Sequence, residues 1–522
     1  MNRDIIVGVD AGTSVIKSVA FASGGNQIAV TAVPNIYETL ANRGVEQDMA
    51  GTWTDAAKTL RMLAEKIPDL PQRVLAIAVT GQGDGTWLID PAGEPVAPAW
   101  LWLDARASDI AEEYVAHRGY PAHYERTGTG VNACQQSIQL TWLHRHFPDL
   151  IGKAATALHC KDWLYFRLTG ERATDPSEGN FTFGRYRTRS YDPGVLDDLG
   201  AADVKRLLPP IVEGTEAAGH LTAEAARETG IPEGTPVCLG YVDVICTALG
   251  GGLFDPQGKA GCTILGSTGM HMRLAASADG VKLNSERSGY TMAFPVPGMY
   301  AQMQSNMAAT LNIDWLVDLA RDVLAQHGVT RTRQEILAGM DGEVLARSGG
   351  RMLYHPYISL AGERGPFLEP SARAQFTGLE AGMGYCDLMR GVFEGLCMAA
   401  RDCYVALGGI PQEVRLTGGA TRSRALKILL ASALGADVRT VDRAEAGAAG
   451  AAMMAAVQQG LYRDMGACAA EWVEPLLGEP VGPDRKLAKT FDKTFPLYVE
   501  TRKVMRPLWR KLHSARLEMC LA

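Results

Sequence analysis

Residues 5–22, with the sequence IIVGVDAGTSVIKSVAFA, consist of two apolar runs separated by a short turn of small and polar residues. The runs IIVGVD and VIKSVAFA have the continuous apolar character of buried β-strands, and the residues AGTS between them are common turn formers. The segment therefore predicts a β-hairpin at the start of an α/β fold.

The turn of this hairpin has the composition of a phosphate-binding loop. Phosphoryl transfer requires a held cation, donors for the phosphate oxygens and a backbone that can approach closely. The residues that could supply these features are Asp10, Gly12, Thr13, Ser14 and Lys17. Because Asp, Gly, Thr and Ser also form ordinary turns, a plain hairpin turn is an equally open interpretation.

A second copy of this pattern begins after residue 255. Residues 258–274, GKAGCTILGSTGMHMRL, again contain a strand, a turn rich in Gly and Thr, and a second strand. Since a chain of 522 residues exceeds what one hydrophobic core usually organises, the repeat predicts a duplicated architecture of two domains. We place these domains at residues 1–255 and 256–522.

Other segments alternate strand and helix patterns, as expected for an α/β protein. Residues 74–85 indicate a strand that ends in a Gly-rich turn, and residues 107–168 indicate a helical insertion. Residues 487–521 form a basic helical pattern. We expect this last segment to pack on the second domain.

Two strand-to-helix junctions carry candidate chemistry. Residues 416–434, LTGGATRSRALKILLASAL, place Gly418 and Gly419 where a nucleotide could approach the backbone closely, although an ordinary turn also uses Gly. Residues 234–254 place Asp243 between a strand and a helix. Its carboxylate could accept a proton from an attacking hydroxyl, could serve as a helix N-cap, or could do both. The helix N-terminus would lower its pKa.

Composition bounds the class of protein and its partners. A formal net charge of -7 argues against a general nucleic-acid or membrane-surface binder, since neither partner is attracted to an acidic field. The ten Cys residues form no C-x-x-C pair, which predicts reduced, mostly buried thiols. Without a signal-peptide pattern at the N-terminus, the sequence predicts a cytoplasmic protein.

Six motifs in order along the chain resemble those of the FGGY carbohydrate kinases, a family of the superfamily that includes actin and hexokinase. They are VDAGTSVIKSVAF (9–21), GYVDVICTALGGG (240–252), LGSTGMH (265–271), YHPYISLAGERGPFLEPSARAQFTGLE (354–380), RLTGGATRSRALKILLASALG (415–435) and EAGAAGAAMMA (445–455). The resemblance implies two ribonuclease H-like domains with an active-site cleft between them. The first domain would bind the sugar or polyol, and the second would hold most of the ATP.

The resemblance also implies roles for individual residues. Asp10 and Asp243 would hold Mg²⁺, and Asp243 would also act as the general base. ATP and its phosphates would contact two turns and an adenosine motif, whose residues here are Gly12, Thr13, Ser14, Lys17, Gly266, Ser267, Thr268, Gly269, Gly418, Gly419, Arg422 and Ser423. The implied cofactors are ATP and Mg²⁺.

In the family the sugar lies between a G-Q-x-x-G segment and a W-x-D-x-R segment, which here read GQGDG (81–85) and WLDAR (102–106). The implied substrate contacts are Asp243 and, from these segments, Gln82, Asp84, Trp102, Asp104 and Arg106. Carboxylates and Arg can hydrogen-bond vicinal hydroxyls, and Trp can cover the C–H face of a polyol. Trp102 could instead be a core residue, and Asp104 with Arg106 could be a surface ion pair.

The identity of the substrate depends on Gly83 and Asp84. Xylulose kinases carry a Met-His pair at this place and glycerol kinases an Arg-Glu pair. The Gly-Asp variant resembles the erythritol kinases of the family, and the related kinases for L-xylulose or 3-keto-L-gulonate. The resemblance therefore implies erythritol, with D-xylulose, ribulose and glycerol among the alternatives.

Two other classes of protein remain as rival hypotheses. A non-catalytic or mechanochemical ATPase of the same superfamily would need a peptide-binding domain or polymer contacts, and the kinase motifs fill the chain. A sugar-responsive regulator would need a helix-turn-helix, which the N-terminal sequence lacks. We expect a small-molecule substrate, no nucleic-acid or membrane partner, and homodimer formation as in similar kinases.

Overall fold

Two six-stranded sheets form the framework of the protein in the computed structural model, which describes residues 3–198, 200 and 202–521. The strands are β1 (Ile5–Ala11), β2 (Val15–Ala22), β3 (Gln27–Pro34), β4 (Glu38–Thr39), β5 (Val45–Gln47), β6 (Val74–Gly81), β7 (Trp87–Ile89), β8 (Ala99–Trp100), β9 (Thr156–Leu158), β10 (Gly184–Arg185), β11 (Ser190–Tyr191), β12 (Gly219–His220), β13 (Pro236–Leu239), β14 (Ala260–Leu265), β15 (Gly269–Ala275), β16 (Tyr290–Ala293), β17 (Tyr300–Asn306), β18 (Leu353–His355), β19 (Gln375–Thr377), β20 (Glu413–Thr417) and β21 (Asp437–Thr440).

Helices flank these sheets and fill the connections between them. They are α1 (Met49–Lys66), α2 (Leu70–Arg73), α3 (Ser108–Ala116), α4 (Tyr120–Thr127), α5 (Gln136–His146), α6 (Pro148–Lys153), α7 (Cys160–Thr169), α8 (Pro176–Gly179), α9 (Pro193–Asp198), α10 (Ala223–Thr229), α11 (Asp243–Gly250), α12 (Thr310–Gln326), α13 (Arg333–Leu337), α14 (Met340–Ala346), α15 (Tyr385–Ala406), α16 (Arg424–Leu434), α17 (Ala446–Gln458), α18 (Met465–Trp472) and α19 (Arg485–Leu521).

The first sheet has the order β12-β13-β6-β1-β2-β3. β1, β2 and β3 form an antiparallel meander, while β6 and β13 lie parallel beside β1. The apolar run of β1 is almost wholly buried because α1 packs on one side of this sheet and α17 on the other. The hairpin predicted from residues 5–22 is therefore confirmed.

The second sheet repeats this arrangement with the order β16-β17-β15-β14-β20-β21. β14, β15 and β17 are antiparallel, and β20 and β21 lie parallel beside β14. Each half of the chain thus has the same order of three antiparallel and two parallel strands. The prediction of a duplicated α/β architecture is confirmed.

Helix α17 connects the two halves. It lies after the predicted boundary at residue 255, yet it packs on β1, β6 and α11 of the first half. Gly8 and Gly450 permit this close approach, because a Cβ on Gly8 would collide with the backbone of Ala448 and a Cβ on Gly450 with the backbone of Cys246. The exact division of the chain at residue 255 stays a prediction.

The remaining segments follow the sequence patterns. The insertion at residues 107–168 is helical except for β9, which pairs with β7. Helix α19 packs on α15 and α16 of the second half, as predicted for the tail, and its residues Phe491 and Tyr498 are buried in the same apolar cluster as α16. The nine described cysteines are free, and all but Cys386 are buried, whereas the side chain of Cys520 lies outside the described part of the protein. Among the described residues, we find no helix with the length and apolar character needed to cross a bilayer.

Candidate active site

The carboxyl ends of three neighbouring strands gather the first group of predicted residues. Asp10 lies near the end of β1, Gln82 directly follows β6, and Asp243 follows β13. Since β1, β6 and β13 run parallel, their carboxyl ends meet at one edge of the sheet. This is the edge at which open α/β sheets commonly bind ligands.

Asp243 is the first residue of α11 and does not serve as its N-cap, since Val242 occupies the cap position. Burial raises the pKa of Asp243 well above its ordinary value, and the nearby negative charge of Asp10 raises it further. Burial also raises the pKa of Asp10 to about 6, against the opposing influence of Lys17. The expectation that the helix N-terminus would lower the pKa of Asp243 is wrong, because burial and the Asp10 charge outweigh it.

The start of α17 packs directly against Asp10. A Cβ on Gly447 would collide with Oδ2 of Asp10 and would lie 3.2 Å from Oγ1 of Thr247 in α11. Glu445, just before the helix, lies 2.7 Å from Nζ of Lys17. The Lys17 ammonium is thus already paired with a carboxylate beside the predicted phosphate turn.

Asp10 and Asp243 fit a magnesium site by their chemistry. Mg²⁺ is commonly held by one or two carboxylates, with water and phosphate oxygens completing its coordination. The raised pKa values of these carboxyls indicate a place where positive charge is lacking. Among the described residues no group of three or more His, Cys, Asp or Glu side chains has metal-binding geometry.

Thr13 connects the phosphate turn to the predicted sugar segments. Its hydroxyl donates to Oε1 of Gln82 at 3.1 Å and accepts from Nε1 of Trp102 at 2.8 Å. Nε2 of Gln82 donates in turn to Oε1 of Gln47 at 2.9 Å. Gln82 is only 2% exposed, so it joins the phosphate turn and the sugar segments from the interior of the protein. Trp102 is half-buried and lies at the site, not in the core.

Asp84 lies in a tight turn of the GQGDG segment with a positive φ of 53°. A Cβ at Gly83 would collide with the side chains of Val242 and Glu178, so a larger residue there would require one of them to move. Oδ1 of Asp84 is buried with no hydrogen-bond partner among the described residues, and Oδ2 accepts from the Cys134 thiol at 3.5 Å. Burial raises the pKa of this carboxyl. Asp84 therefore retains acceptor capacity for a ligand.

Asp104 and Arg106 bind each other inside the protein. Arg106 donates from Nε and Nη2 to Oδ2 of Asp104 at 3.0 and 2.6 Å, and from Nη1 to Glu46 at 2.8 Å. Its guanidinium lies 3.5 Å from the ring centroid of Trp100. Because the Asp104 side chain is fully buried, the alternative of a surface ion pair is wrong. Contact of these two residues with a substrate stays a prediction.

The turn between β14 and β15 contains the second predicted phosphate motif. Ser267 and Thr268 expose their side chains between Gly266 and Gly269. The backbone of this turn is fixed by the N–H of Ala309, which donates to the carbonyl of Ser267 at 2.6 Å. The hydroxyls and N–H groups are thus presented by a rigid turn.

The predicted adenosine segment packs against this turn. Gly418 has a φ of 88°, and a Cβ there would lie 2.5 Å from the carbonyl oxygen of Leu265. Gly419 and Arg422 are exposed. Ser423 is the N-cap of α16 and also donates to Oδ1 of Asp341 at 2.6 Å, so its hydroxyl is engaged within the protein.

Several polar residues near Asp84 were not assigned from the sequence. The guanidinium of Arg364 and the hydroxyl of Tyr290 lie on the side of the second domain. His159 and Glu178 are buried near Asp84, and Nε2 of His159 lies 3.1 Å from Oε2 of Glu178. The adjacent charges of Glu363 and Arg364 in the GERGP segment could have indicated that Arg364 is a site residue. Nothing in the local sequence distinguishes Tyr290 or His159.

Comparisons with known proteins agree with this geometry. Residues 5–250 match the N-terminal domain of the FGGY family of carbohydrate kinases, and residues 261–459 match its C-terminal domain. The chain is 50% identical over 513 residues to the erythritol kinase of Brucella abortus, covering 98% of each chain. It is 25% identical to the L-xylulose/3-keto-L-gulonate kinase of Escherichia coli, covering 94% of this chain and 95% of that one.

A solved structure gives the same picture at the level of the fold. The crystal structure of xylulose kinase from Rhodospirillum rubrum superimposes with a TM-score of 0.85 at 26% identity, covering 97% of this chain and 100% of that one. The two family models together match most of the chain, and the relative from Brucella abortus matches nearly all of it. The chain therefore belongs to the FGGY family of carbohydrate kinases.

Proposed function

We propose that this kinase transfers the γ-phosphate of ATP to a terminal hydroxyl of a small polyol, and that erythritol is its preferred substrate. The observation that carries the proposal is the meeting of Asp10 and Asp243 at the carboxyl edge of the first sheet. The choice of erythritol is supported by 50% identity to the erythritol kinase of Brucella abortus over nearly the full length of both chains.

Asp243 would remove the proton from the attacking hydroxyl. A carboxylate with a raised pKa is a stronger base than an ordinary one, and proton removal occurs late in the loose transition state of phosphoryl transfer. Asp10 and Asp243 would be the protein ligands of Mg²⁺, which supplies positive charge to the phosphate oxygens when it is bound. The N–H and hydroxyl donors of the two turns would orient the same phosphates.

The polyol would bind beside Trp102 and Asp84. The indole of Trp102 is held by Thr13 and offers an apolar surface to the C–H groups of the polyol, while the free lone pairs of Asp84 accept its hydroxyls. We assign Gln82, Asp104 and Arg106 mainly to holding these two loops, because their polar atoms are bonded within the protein.

The closest alternatives are kinases for L-xylulose, D-xylulose, ribulose, 3-keto-L-gulonate or glycerol. Glu178 and Val242 fill the space that a side chain at position 83 would take, so the Met or Arg of the xylulose and glycerol kinases would not fit here without a shift of these neighbours. We also propose a cytoplasmic location with no nucleic-acid partner, supported by the unpaired buried thiols and the net charge of -7. Homodimer formation stays a prediction.

The test is a screen of the purified enzyme with ATP and Mg²⁺ against erythritol, xylulose, ribulose, ribitol and glycerol. We expect erythritol to give the highest kcat/KM, measured by coupled ADP release and by mass spectrometry of the product.

Asp243→Asn should lower kcat by about 100- to 10,000-fold with ATP binding retained. The control exchange Asp255→Asn, at a loop carboxylate, should leave kcat within about twofold.

Each outcome of the screen decides a separate statement. ATP hydrolysis that no polyol changes would favour the non-catalytic ATPase hypothesis over the kinase. A better substrate than erythritol would overturn only the choice of polyol. Retention of more than about a tenth of kcat by Asp243→Asn would remove Asp243 from the role of base.

A further inference from the structure

Arg364 of the second half of the chain lies beside the predicted polyol pocket of the first half. Its Nη1 donates to the hydroxyl of Tyr290 at 3.4 Å, and Nδ2 of Asn132 donates to the same hydroxyl at 3.1 Å. Among the described residues no carboxylate forms an ion pair with Arg364. Arg364 is half-buried as a residue, and among the described residues its guanidinium donates to Tyr290 alone, so most of its N–H donors have no partner there.

Arg364 and Asp84 share one electrostatic environment without touching. The positive charge of Arg364 opposes the effect of burial on the pKa of Asp84, and the charge of Asp84 in turn helps to raise the pKa of Arg364. Oδ1 of Asp84 nevertheless remains buried without a hydrogen-bond partner among the described residues. A buried, unpaired carboxylate oxygen is costly and calls for a donor.

The loop that carries Arg364 is rigid. One carboxylate oxygen of Glu363 accepts the backbone N–H of Met307 at 3.0 Å and that of Arg364 itself at 2.8 Å. Nδ2 of Asn306 donates to the carbonyl of Gly365 at 2.8 Å. These bonds involve the backbone and Glu363, so the position of the loop does not depend on the Arg364 side chain.

The loop that carries Asp84 is rigid as well. The N–H of Gly85 donates to the carbonyl of Cys134 at 3.0 Å, and Gly83 packs without space for a side chain against Val242 and Glu178. Asp84 and Arg364, one from each half of the chain, are thus carried by hydrogen-bonded loops and lie near enough for each charge to act on the other. One can only donate hydrogen bonds and the other, when ionised, can only accept them.

We propose that Asp84 and Arg364 bind the substrate together, with hydroxyl groups of one neutral polyol donating to Asp84 and accepting from Arg364. This inference rests on the proposed function. An anionic sugar acid would pair with Arg364 but would be repelled by Asp84, so the two residues select uncharged polyhydroxyl substrates. Because the residues come from the two halves of the chain, the bound polyol also joins the halves and favours closure of the cleft.

A purely structural role for Arg364 would consist of holding Tyr290. The two roles differ in their kinetic signature. Loss of a substrate contact raises the KM for the polyol and leaves the KM for ATP unchanged, whereas loss of a structural support lowers the Tm and affects both substrates.

The experiment compares Arg364→Gln, Asp84→Asn and the double variant with the wild-type kinase. Arg373→Gln is the matched control, because its guanidinium binds backbone carbonyls such as that of Pro370 at 3.0 Å on the same segment. We expect each single change to raise the KM for erythritol by about 10- to 100-fold, with the KM for ATP within about twofold. The double variant should be worse than either single one but better than the product of the two effects, because the charges of Asp84 and Arg364 are coupled.

Direct binding of erythritol, measured by calorimetry without ATP, should weaken in the same order. If Arg364→Gln does not fold, Arg364→Lys keeps the charge but loses the planar donors, and its KM for erythritol should still rise severalfold. An unchanged KM for erythritol in an active kinase, or an equal rise in the KM for ATP, overturns the shared-substrate role. If the wild type phosphorylates none of the polyols, the proposed function fails first, and the inference fails with it.

Discussion

The turn between β1 and β2 and the turn between β14 and β15 occupy equivalent places in the two sheets, yet they carry different chemistry. The first is flanked by Asp10 at the end of β1, whose pKa burial raises to about 6, and by Lys17 of β2, which forms an ion pair of 2.7 Å with Glu445. The second contains no ionisable side chain and exposes the hydroxyls of Ser267 and Thr268. The same strand order thus supports a turn flanked by charged side chains in one half and a turn with only neutral side chains in the other.

The surroundings of the two turns explain this difference. In the first half, Asp10 is enclosed by α17 and lies near Asp243, so a negative charge there requires a cation. In the second half, the turn rests on the backbone of Gly418 and exposes its side chains. In the proposed function the two turns would divide the work on a nucleotide: Asp10, beside the first turn, would hold the metal, and the second turn would offer neutral donors to the phosphates.

The largest effect expected from this comparison is that of Asp10→Asn. Loss of a carboxylate from the metal site should lower kcat/KM by about 100-fold or more, and the Mg²⁺ concentration for half-maximal rate should rise. The matched change in the other turn, Ser267→Ala, should cost no more than about fivefold, because neighbouring N–H donors remain. Steady-state kinetics over a range of Mg²⁺ concentrations measures both, and equal effects of the two changes would contradict the division of roles.

The pH dependence of Mg²⁺ binding by the wild-type enzyme tests the role of Asp10 as a metal ligand. Burial raises the pKa of the Asp10 carboxyl to about 6, so we expect the ionised form, which would bind Mg²⁺, to predominate above that pH. Below it a proton competes with the cation, so the apparent Mg²⁺ affinity should fall by up to about tenfold per pH unit. An affinity that stays constant from about pH 5 to 7.5 would count against Asp10 as a ligand.

The contact between Gly418 and Leu265 gives a prediction for the second half. Gly418→Ala places a Cβ at a φ of 88° and 2.5 Å from the Leu265 carbonyl oxygen, so the neutral turn must shift. We expect the KM for ATP to rise by about tenfold and the stability to fall by about 1–3 kcal/mol. Gly342→Ala in α14 is the control, because no described atom lies within 4 Å of its added Cβ. Similar KM values for the two variants would show that the close approach is unimportant.

The fold was predictable from the sequence where the pattern is local. The apolar runs of residues 5–22 fix the hairpin, and the repeat at residues 258–274 fixes the duplication, because strand periodicity and turn residues act over short distances. The return of α17 to the first sheet was not predicted. Its sequence of small residues indicates close packing but not the element that it packs against.

The site was predictable only in part for the same reason. Asp243 was correctly placed at a strand-to-helix junction, but the direction of its pKa shift depends on burial and on Asp10, which only the tertiary fold brings near. Asp104 and Arg106 are two residues apart in the sequence, so their ion pair could be expected. The burial of this pair against Trp100 could not be read from the local sequence. The charge of Arg364 acts on Asp84 from the other half of the chain, and no spacing rule connects the two residues.

The smallest expected effect concerns the hydroxyls of the two turns. In the first turn, Thr13→Val removes the acceptor of the Trp102 N–H and the donor to Gln82, and leaves both buried groups unpaired. The cost should be about 1–3 kcal/mol, seen as a Tm lower by a few degrees, with a severalfold rise in the KM for the polyol as Trp102 loses its support. Thr268→Val removes an exposed hydroxyl that makes no such link, so the Tm should be unchanged within about a degree. If Thr268→Val lowered the Tm as much as Thr13→Val, the hydroxyls of the two turns would contribute equally to stability. The contrast between a connected first turn and an exposed second turn would then be wrong.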